Sequence, residues 1–447
     1  MLFNSLVFVA FAAVVYPVWA LLRGAGRRGF LLVASLFFYG WWDWRFLGLL
    51  LGTSLLDFWL ARRIEDDPAG KRRWLTLSVV SNLLALGTFK YLGFFVGEAN
   101  ALLAAVGVPL AVPVLELVLP MGLSFYTFQA LAYTVDVYRG QTRACRNPFD
   151  FLLFISFFPQ LVAGPIERSE RLLPQLRMER GPTSEQLADG AALVLWGFFK
   201  KLVVADNLAG IVQLAFERDD STGLATWLGV YAFTWQIYCD FSGYSDIARG
   251  LAKWFGVELR LNFDLPFFAS SPQDIWRRWH ISLSEWLRDY LYIPLGGNRH
   301  HASRNLIATM LLGGLWHGAN WTFIAWGAWH GAALAIQRRW APRLPQPVAI
   351  VLTFHFLVLG FVWFRASTLG NALSVFWHLV SITYRQSDLV WLNLFLFLTL
   401  PVLGAEAWLY TRRPVPVLVK ALLVPLAVLA IVLLGASQGH PFVYFQF

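Results

Sequence analysis

Long apolar runs alternate with short polar loops along the whole chain of 447 residues. A helix needs about 20 apolar residues to cross about 30 Å of hydrocarbon, and most of the runs approach that length. The pattern therefore predicts a series of membrane helices joined by loops. The predicted spans are 2–22, 29–47, 47–62, 74–97, 118–138, 186–216, 224–248, 304–318, 321–338, 347–365, 389–411 and 414–436.

Two further apolar stretches are interrupted. Residues 150–165 carry Pro159, Gly164 and Pro165, which favours a re-entrant segment, and the mixed stretch 367–384 is expected at the membrane interface. We predict an all-α polytopic membrane protein with about 11–12 transmembrane helices plus re-entrant and interfacial helices. We expect a single domain over 1–447, with N-terminal helices in 1–117, a motif-bearing core in 118–338 and C-terminal helices in 339–447.

The composition excludes other classes of protein. Hydrophobic residues make up 57% of the chain and charged residues only 14%, against about 25% charged residues in soluble domains. So few polar side chains cannot cover a water-soluble globule, and so apolar a chain is not disordered. The two cysteines, Cys145 and Cys239, form no disulfide or metal-binding pattern, so we expect no metal site.

The net charge of +9 comes from basic residues in the loops between apolar runs, which is typical of membrane topology rather than of nucleic-acid binding. With the N-terminus outside, 29 of the 36 Lys and Arg residues fall on the cytoplasmic side. The opposite orientation would violate the positive-inside rule. We therefore predict that both termini lie outside, with an even number of spans and no nucleic-acid partner.

Residues 272–297 show the pattern of an amphipathic helix that begins at Asp274. Such a segment, rich in Trp and Arg, suits the cytoplasmic membrane interface. A histidine on its apolar stripe is more often a buried core residue than a reactive one. Because Ser284 follows His280 by one turn, a nucleophile–base pair is the sharper alternative. The apolar stripe comprises Trp276, His280, Leu283, Leu287 and Tyr290.

His317 lies in a strongly apolar stretch beside Gly313, Gly314 and Gly318. Close helix packing explains the glycines, but it does not explain the histidine. An ionisable residue at membrane depth indicates a functional site, and burial keeps an imidazole neutral and able to accept a proton. We therefore expect a catalytic or transport role at His317, with a structural role as the alternative. His330, near the cytoplasmic end of its span, is expected to be structural or interfacial.

Acidic side chains also fall close to membrane depth, at Asp136, Asp240 and Asp246. Pairing with arginines within the protein is the simpler interpretation, and a proton relay is the alternative. A group of arginines near the predicted cytoplasmic face could bind either an anionic ligand or lipid head groups. This group comprises Arg277, Arg278, Arg288 and Arg299.

Five segments occur in a characteristic order: 124–140 (SFYTFQALAYTVDVYRG), 157–166 (FFPQLVAGPI), 238–246 (YCDFSGYSD), 276–299 and 314–321 (GLWHGANW). The N-terminal stretch 37–42 (FFYGWW) fits the same pattern. In these segments the chain resembles the membrane-bound O-acyltransferase superfamily. Within it, the chain resembles the branch that acetylates bacterial exopolysaccharides such as alginate. The match covers about 120–331, roughly half of the chain.

The resemblance implies a ring of tilted helices around a central tunnel in the bacterial cytoplasmic membrane. The superfamily's intramembrane histidine falls on His317 and a second family position on His280, so both are expected catalytic residues. Acetyl-CoA from the cytosol is the expected donor, with no permanently bound cofactor. The expected partners are an extracytoplasmic SGNH-type acetyltransferase, the exopolysaccharide acceptor and the lipid bilayer. The expected donor contacts are Arg277, Arg278, Trp279, Arg288, Asn298 and Arg299.

The alternatives stay open on the sequence alone. The acyl group could be D-alanyl or another group that is passed to a cell-envelope polymer. A polysaccharide exporter or flippase would explain the many spans, but not the ordered motifs, and a scaffold subunit of a polymer synthase is a third possibility. Consumption of acetyl-CoA separates the first class from the other two.

Overall fold

The structure is a computed structural model, and it describes residues 1–447 except 109, 116, 163, 180, 219, 342, 414–416, 437–441 and 444–447. The described residues form helices and connecting loops without a strand, so the predicted all-α class is confirmed. The first ten helices are α1 Leu6–Leu21, α2 Gly24–Gly40, α3 Arg45–Asp66, α4 Lys71–Leu86, α5 Leu92–Ala105, α6 Leu123–Tyr138, α7 Pro148–Ser156, α8 Phe158–Leu161, α9 Ser169–Gln175 and α10 Ser184–Phe198.

The remaining helices begin after a π-helical turn at Phe199–Ala205, and similar turns occur at Gly87–Tyr91 and Arg288–Tyr292. A 3₁₀ turn is formed by Pro266–Phe268. The helices are α11 Asp206–Phe216, α12 Gly223–Trp254, α13 Pro272–Arg278, α14 Ile281–Leu287, α15 Ala302–His317, α16 Trp321–Arg339, α17 Gln346–Arg365, α18 Leu369–Leu379, α19 Gln386–Tyr410 and α20 Val417–Leu434.

Three helical stretches within the described residues are long and apolar enough to cross a bilayer by length and composition: Lys71–Ala105, α17 and α19. Shorter apolar helices lie at Leu6–Leu21 and Leu422–Leu434. Two of the other predicted spans form helices shorter than a full crossing. The helices α6 and α15 have 16 residues each, which at 1.5 Å per residue gives about 24 Å against about 30 Å of hydrocarbon.

The chain divides into two compact units. The first contains Met1–Leu187 and Leu251–Arg260, and a cluster of phenylalanines from α1, α2 and α8 lies in its core. The interrupted stretch 150–165 forms the short helices α7 and α8 there, separated at Phe157. The Gln129 side chain of α6 donates to the Phe154 carbonyl at 2.7 Å, which satisfies an acceptor near that break.

The second unit contains Ala188–Gly250 and Leu261–Phe447, and α15 and α16 pack in it at backbone distance. A Cβ atom at Gly314 would overlap the Phe323 carbonyl oxygen, and one at Gly327 would overlap the Met310 carbonyl oxygen. The prediction that glycines near His317 serve close helix packing is therefore confirmed at Gly314.

The predicted continuous helix from Asp274 through 290 is wrong. The structure has two short helices, α13 and α14, which are separated at Trp279 and His280. His280 adopts the left-handed conformation with φ of 43°, which redirects the backbone and interrupts the proposed apolar stripe. Periodicity alone does not reveal such a break, because each half keeps its own helical spacing.

Candidate active site

His317 is the last residue of α15, and its side chain is buried at 5% exposure. Its ring lies 5.0 Å from the rings of Trp316 and Trp326 and 5.1 Å from that of Phe364, measured between centroids. These aromatic neighbours come from α15, α16 and α17, so the helices together build an apolar chamber around the imidazole.

His280 is buried at 1% exposure, and the structure brings it to the same aromatic cluster as His317. The Trp316 ring lies 6.1 Å from the His280 ring and 5.0 Å from the His317 ring. Burial lowers the pKa of the His280 imidazole to about 3, so this side chain is neutral at physiological pH.

Phe241 of α12 packs against His280, with 4.6 Å between the centroids of the two rings. The preceding residue, Asp240, lies 2.8 Å from the Lys201 ammonium, which also binds Asp206 at 2.8 Å. The backbone N–H of Val443 donates to the other Asp240 oxygen at 2.6 Å. A buried charge network therefore holds the segment of α12 that supports His280.

Asp246, one of the acids found in the sequence, is held by Lys200 at 2.7 Å and by Arg249 at 3.3 Å. The expectation that arginines pair with the buried acids therefore holds only in part, because Lys200 and Lys201 provide the closer contacts. Neither lysine was predicted from the sequence as a partner of these acids. The two adjacent lysines inside the apolar run 186–216 are the feature of the sequence that indicates such ion pairs at membrane depth.

A cavity of about 590 Å³ opens between the short helices α13 and α14 and the neighbouring parts of α15 and α16. Trp276 and Ser284 line one side of it, and Thr309 and Met310 of α15 line another. Met310 precedes His317 by about two helical turns, roughly 10 Å along α15. The volume is in the range of small-molecule sites.

Three arginines line this cavity: Arg277, Arg288 and Arg338. Two of them, Arg277 and Arg288, are among the predicted donor contacts, and so is a third lining residue, Asn298. The Asn298 side-chain oxygen accepts from the Arg338 guanidinium at 2.7 Å and from the Tyr292 hydroxyl at 2.8 Å. Arg338 and Tyr292 were not predicted from the sequence as site residues, and the fold brings both to Asn298.

The other predicted donor contacts lie elsewhere. Arg278 binds Asp274 at 3.0 Å and the Asp264 carbonyl at 3.2 Å. Trp279 is buried in the aromatic core, 5.0 Å from the Phe263 ring, and Arg299 is exposed on the loop before α15. These three residues do not line the cavity around Asn298.

The arrangement combines two buried, aromatic-lined histidines with a neighbouring cavity whose rim carries arginines. A neutral histidine can take a proton from a hydroxyl, and arginines on the rim can hold an anionic group of a second substrate. Within the described residues no group of His, Cys, Asp and Glu forms a metal site. The fold and the site together define a helical membrane enzyme.

Comparison with known proteins specifies the chemistry. The profile of the MBOAT, membrane-bound O-acyltransferase, family matches residues 143–376. The chain is 45% identical to a probable alginate O-acetylase of Azotobacter vinelandii, over 87% of this chain and 79% of the relative. It is 40% identical to a probable alginate O-acetylase of Pseudomonas putida over the whole of both chains. A peptidoglycan O-acetyltransferase of Helicobacter pylori is 36% identical, over 84% of this chain and 79% of the relative.

The chain belongs to the membrane-bound O-acyltransferase family. It is a membrane protein and an O-acyltransferase, which confirms the resemblance found in the ordered motifs and excludes a non-enzymatic exporter. Four of the five motif segments lie within residues 143–376, and the segment 124–140 lies just before them. The alignment with the Pseudomonas putida relative covers all five segments.

Proposed function

We propose that the protein takes acetyl groups from cytosolic acetyl-CoA and passes them outward for O-acetylation of an exopolysaccharide such as alginate. The observation that carries the proposal is the position of His317, buried among aromatic rings about two turns of α15 from a cavity rimmed by arginines. The names of the relatives support acetyl transfer to a cell-envelope polysaccharide.

His317 is the general base in this proposal. It accepts the proton of an acceptor hydroxyl, and the hydroxyl oxygen attacks the carbonyl carbon of the thioester. The new C–O bond forms as the C–S bond breaks, and the coenzyme A thiolate leaves and takes up the proton from the imidazolium. The burial of His317 among aromatic rings supports this role.

His280 has a secondary role in the proposal, to position the thioester or to assist as a second base. Its contact with Trp316, which also contacts His317, supports an action on the same reacting group. A buried and neutral imidazole can donate or accept a hydrogen bond without the cost of a buried charge.

Arg277, Arg288, Arg338 and Asn298 are the proposed contacts of the donor, since they line the cavity. Coenzyme A carries phosphates, which guanidinium groups bind strongly. Arg278, Trp279 and Arg299 are less well placed for direct contact, although Arg278 adjoins Arg277 at the end of α13.

The proposed location is the bacterial cytoplasmic membrane, with the N-terminus outside and the cavity open to the cytosol. The distribution of Lys and Arg residues supports this orientation. The helix α15 begins at Ala302 beside the basic loop, so His317 lies about 22 Å from the cytosolic end of this helix. An SGNH-type protein outside the membrane is the proposed partner that delivers the acetyl group to the polymer.

The test uses the purified protein in liposomes with radiolabelled acetyl-CoA and its acceptor partner. We expect His317→Ala to lower acetyl transfer at least 100-fold, because general base catalysis contributes about 10²- to 10⁴-fold. His378→Ala is the matched control, since its ring bonds to the Ser374 carbonyl within its own helix α18. Undiminished transfer by His317→Ala at equal folded abundance would refute the assignment of the base.

A further inference from the structure

Trp276, Trp326 and His330 form a second polar cluster, which we call the indole–imidazole cluster. The His330 ring lies 4.7 Å from the Trp326 ring and 5.3 Å from the Trp276 ring, and the two indoles are 5.8 Å apart. Trp326 and His330 are buried at 3% and 1% exposure. The cluster joins α13 to α16, in the second of the two compact units.

The hydrogen-bonding groups of this cluster are buried but not used within the described part of the chain. The indole N–H groups of Trp276 and Trp326 and both ring nitrogens of His330 have no hydrogen-bond partner there. Buried polar groups are nearly always satisfied, so several such groups in contact require an explanation. Elsewhere on α16, by contrast, the Trp329 indole donates to the Phe356 carbonyl at 3.2 Å.

The position of the cluster indicates what uses these groups. Trp276 lines the 590 Å³ cavity, and the Trp326 ring lies 5.0 Å from the His317 ring. His330 contacts both indoles. The cluster therefore extends from the cavity to the proposed general base.

The chemistry of the groups selects the kind of ligand. An indole N–H can only donate, and a neutral imidazole donates from one nitrogen and accepts at the other. The ligand must therefore offer mainly acceptors and some donors, as a chain of amide groups ending in a thioester does. The pantetheine arm of coenzyme A has two amides and the thioester, which matches this set.

We propose that the indole–imidazole cluster binds the pantetheine arm and guides its thioester to His317. This inference rests on the proposed function, because it takes acetyl-CoA as the donor. Trp326, next to His317, binds the thioester end of the arm, and Trp276, at the cavity, binds the amide farther from the thioester. His330 is a positioning residue between them, rather than the structural residue that the sequence suggested.

The experiment compares two donors in the liposome assay, acetyl-CoA and S-acetyl-N-acetylcysteamine, which keeps only the amide nearest the thioester. We expect Trp276→Phe to raise the KM for acetyl-CoA about 3- to 10-fold, the effect of one lost neutral hydrogen bond. Its KM for the short donor stays unchanged. Trp326→Phe raises the KM for both donors. In both variants kcat changes less than twofold, because phenylalanine retains the packing of the ring.

Two further variants separate binding from packing. Trp329→Phe is the matched control, since its indole already has a backbone partner, and it leaves both KM values unchanged. His330→Gln keeps one hydrogen-bond donor and one acceptor, so its KM for acetyl-CoA stays near that of the wild type. His330→Leu removes both groups and raises this KM. Size-exclusion profiles establish that the compared proteins are folded.

The outcomes separate the inference from the proposed function. Active Trp276→Phe and Trp326→Phe variants with KM values within twofold of the wild type for both donors would overturn the cluster's role and leave the function standing. Equal effects of Trp276→Phe on the long and the short donor would also overturn it. A wild-type protein that transfers acetyl groups but not from coenzyme A would overturn both.

Discussion

His280 shows how much of the site depends on a single backbone conformation. Its left-handed φ of 43° is unfavourable for a residue with a Cβ atom and has to be held by its neighbours. The Ile281 N–H donates to the Asn262 carbonyl at 2.9 Å, and the Ser282 hydroxyl donates to the Asn262 side chain at 2.8 Å. Asn262, which was not predicted from the sequence as a site residue, therefore fixes the start of α14 and the direction of the His280 imidazole.

The neutral state of buried His280 predicts a dependence of stability on pH. Its pKa is about 3 in the folded protein, below the ordinary value of 6.5, so the unfolded chain binds more protons between these values. Stability therefore falls as the pH falls from 6.5 toward 3. Between pH 7 and pH 5 the contribution of this residue amounts to roughly 2 kcal/mol.

The measurement is the midpoint of thermal unfolding in detergent at pH 7 and pH 5. We expect His280→Gln to lose less stability than the wild type on this shift, because glutamine does not titrate. His300→Gln, on the exposed loop before α15, is the control and keeps the wild-type pH dependence. An equal loss in His280→Gln and the wild type would contradict the prediction.

At the scale of elements, the helices α15 and α16 form the pair that carries the site. One helix ends at His317 and the other supplies Trp326 and His330, so their separation sets the geometry of all three side chains. Glycines at 314 and 327 allow their backbones to approach. Short interrupted helices such as α13 and α14 then close the cavity beside this pair.

Adding a methyl group at Gly314 tests whether α15 and α16 need to pack this closely. We expect Gly314→Ala to destabilise the protein by about 1–3 kcal/mol, because the new Cβ overlaps the Phe323 carbonyl oxygen and the helices must separate. Gly210→Ala in α11 is the control, since nothing lies within 4 Å of its added Cβ atom. Helix propensity makes that control neutral or more stable by about 1 kcal/mol.

Thermal unfolding in detergent measures both glycine variants, and acetyl transfer is assayed in parallel. The separation of α15 from α16 should also lower the activity of Gly314→Ala. A Gly314→Ala protein as stable as Gly210→Ala would show that the two helices do not need this close approach.

At the scale of the whole molecule, the distribution of charge predicts the orientation in the membrane. The basic residues concentrate in loops on one side of the predicted spans, and the long apolar helices expose large side chains such as Leu84, Phe397 and Leu433 to their surroundings. Exposed apolar surface of this kind suits lipid, so the chain needs no polar cover there. The predicted count of about 11–12 spans and the position of the termini stay predictions.

Labelling of introduced cysteines tests the orientation in spheroplasts. In a Cys145→Ser background, with Cys239 fully buried, we expect Asp220→Cys to react with an impermeant maleimide. His300→Cys should react only after permeabilisation. The Asp220 side chain is 71% exposed and His300 lies on an exposed loop, so both sites are accessible to reagent. The reverse pattern would place the basic loops outside.

The sequence by itself determined the class of fold and the family, and it predicted the two histidines as site residues, because each of these depends on local information. A run of apolar residues predicts its own helix wherever it lies, and the motif around His317 is contiguous. The short helices α7 and α8 likewise follow from Pro159 and the small residues near it.

Only the tertiary structure decided which distant groups meet. Lys201 with Asp240, Arg338 with Asn298, and Trp276 with His330 are contacts between segments some 40 to 54 residues apart. Such contacts depend on how each helix is rotated and packed, which local periodicity does not contain. The left-handed conformation of His280 also depends on the tertiary structure, because Asn262 holds it from another segment of the chain.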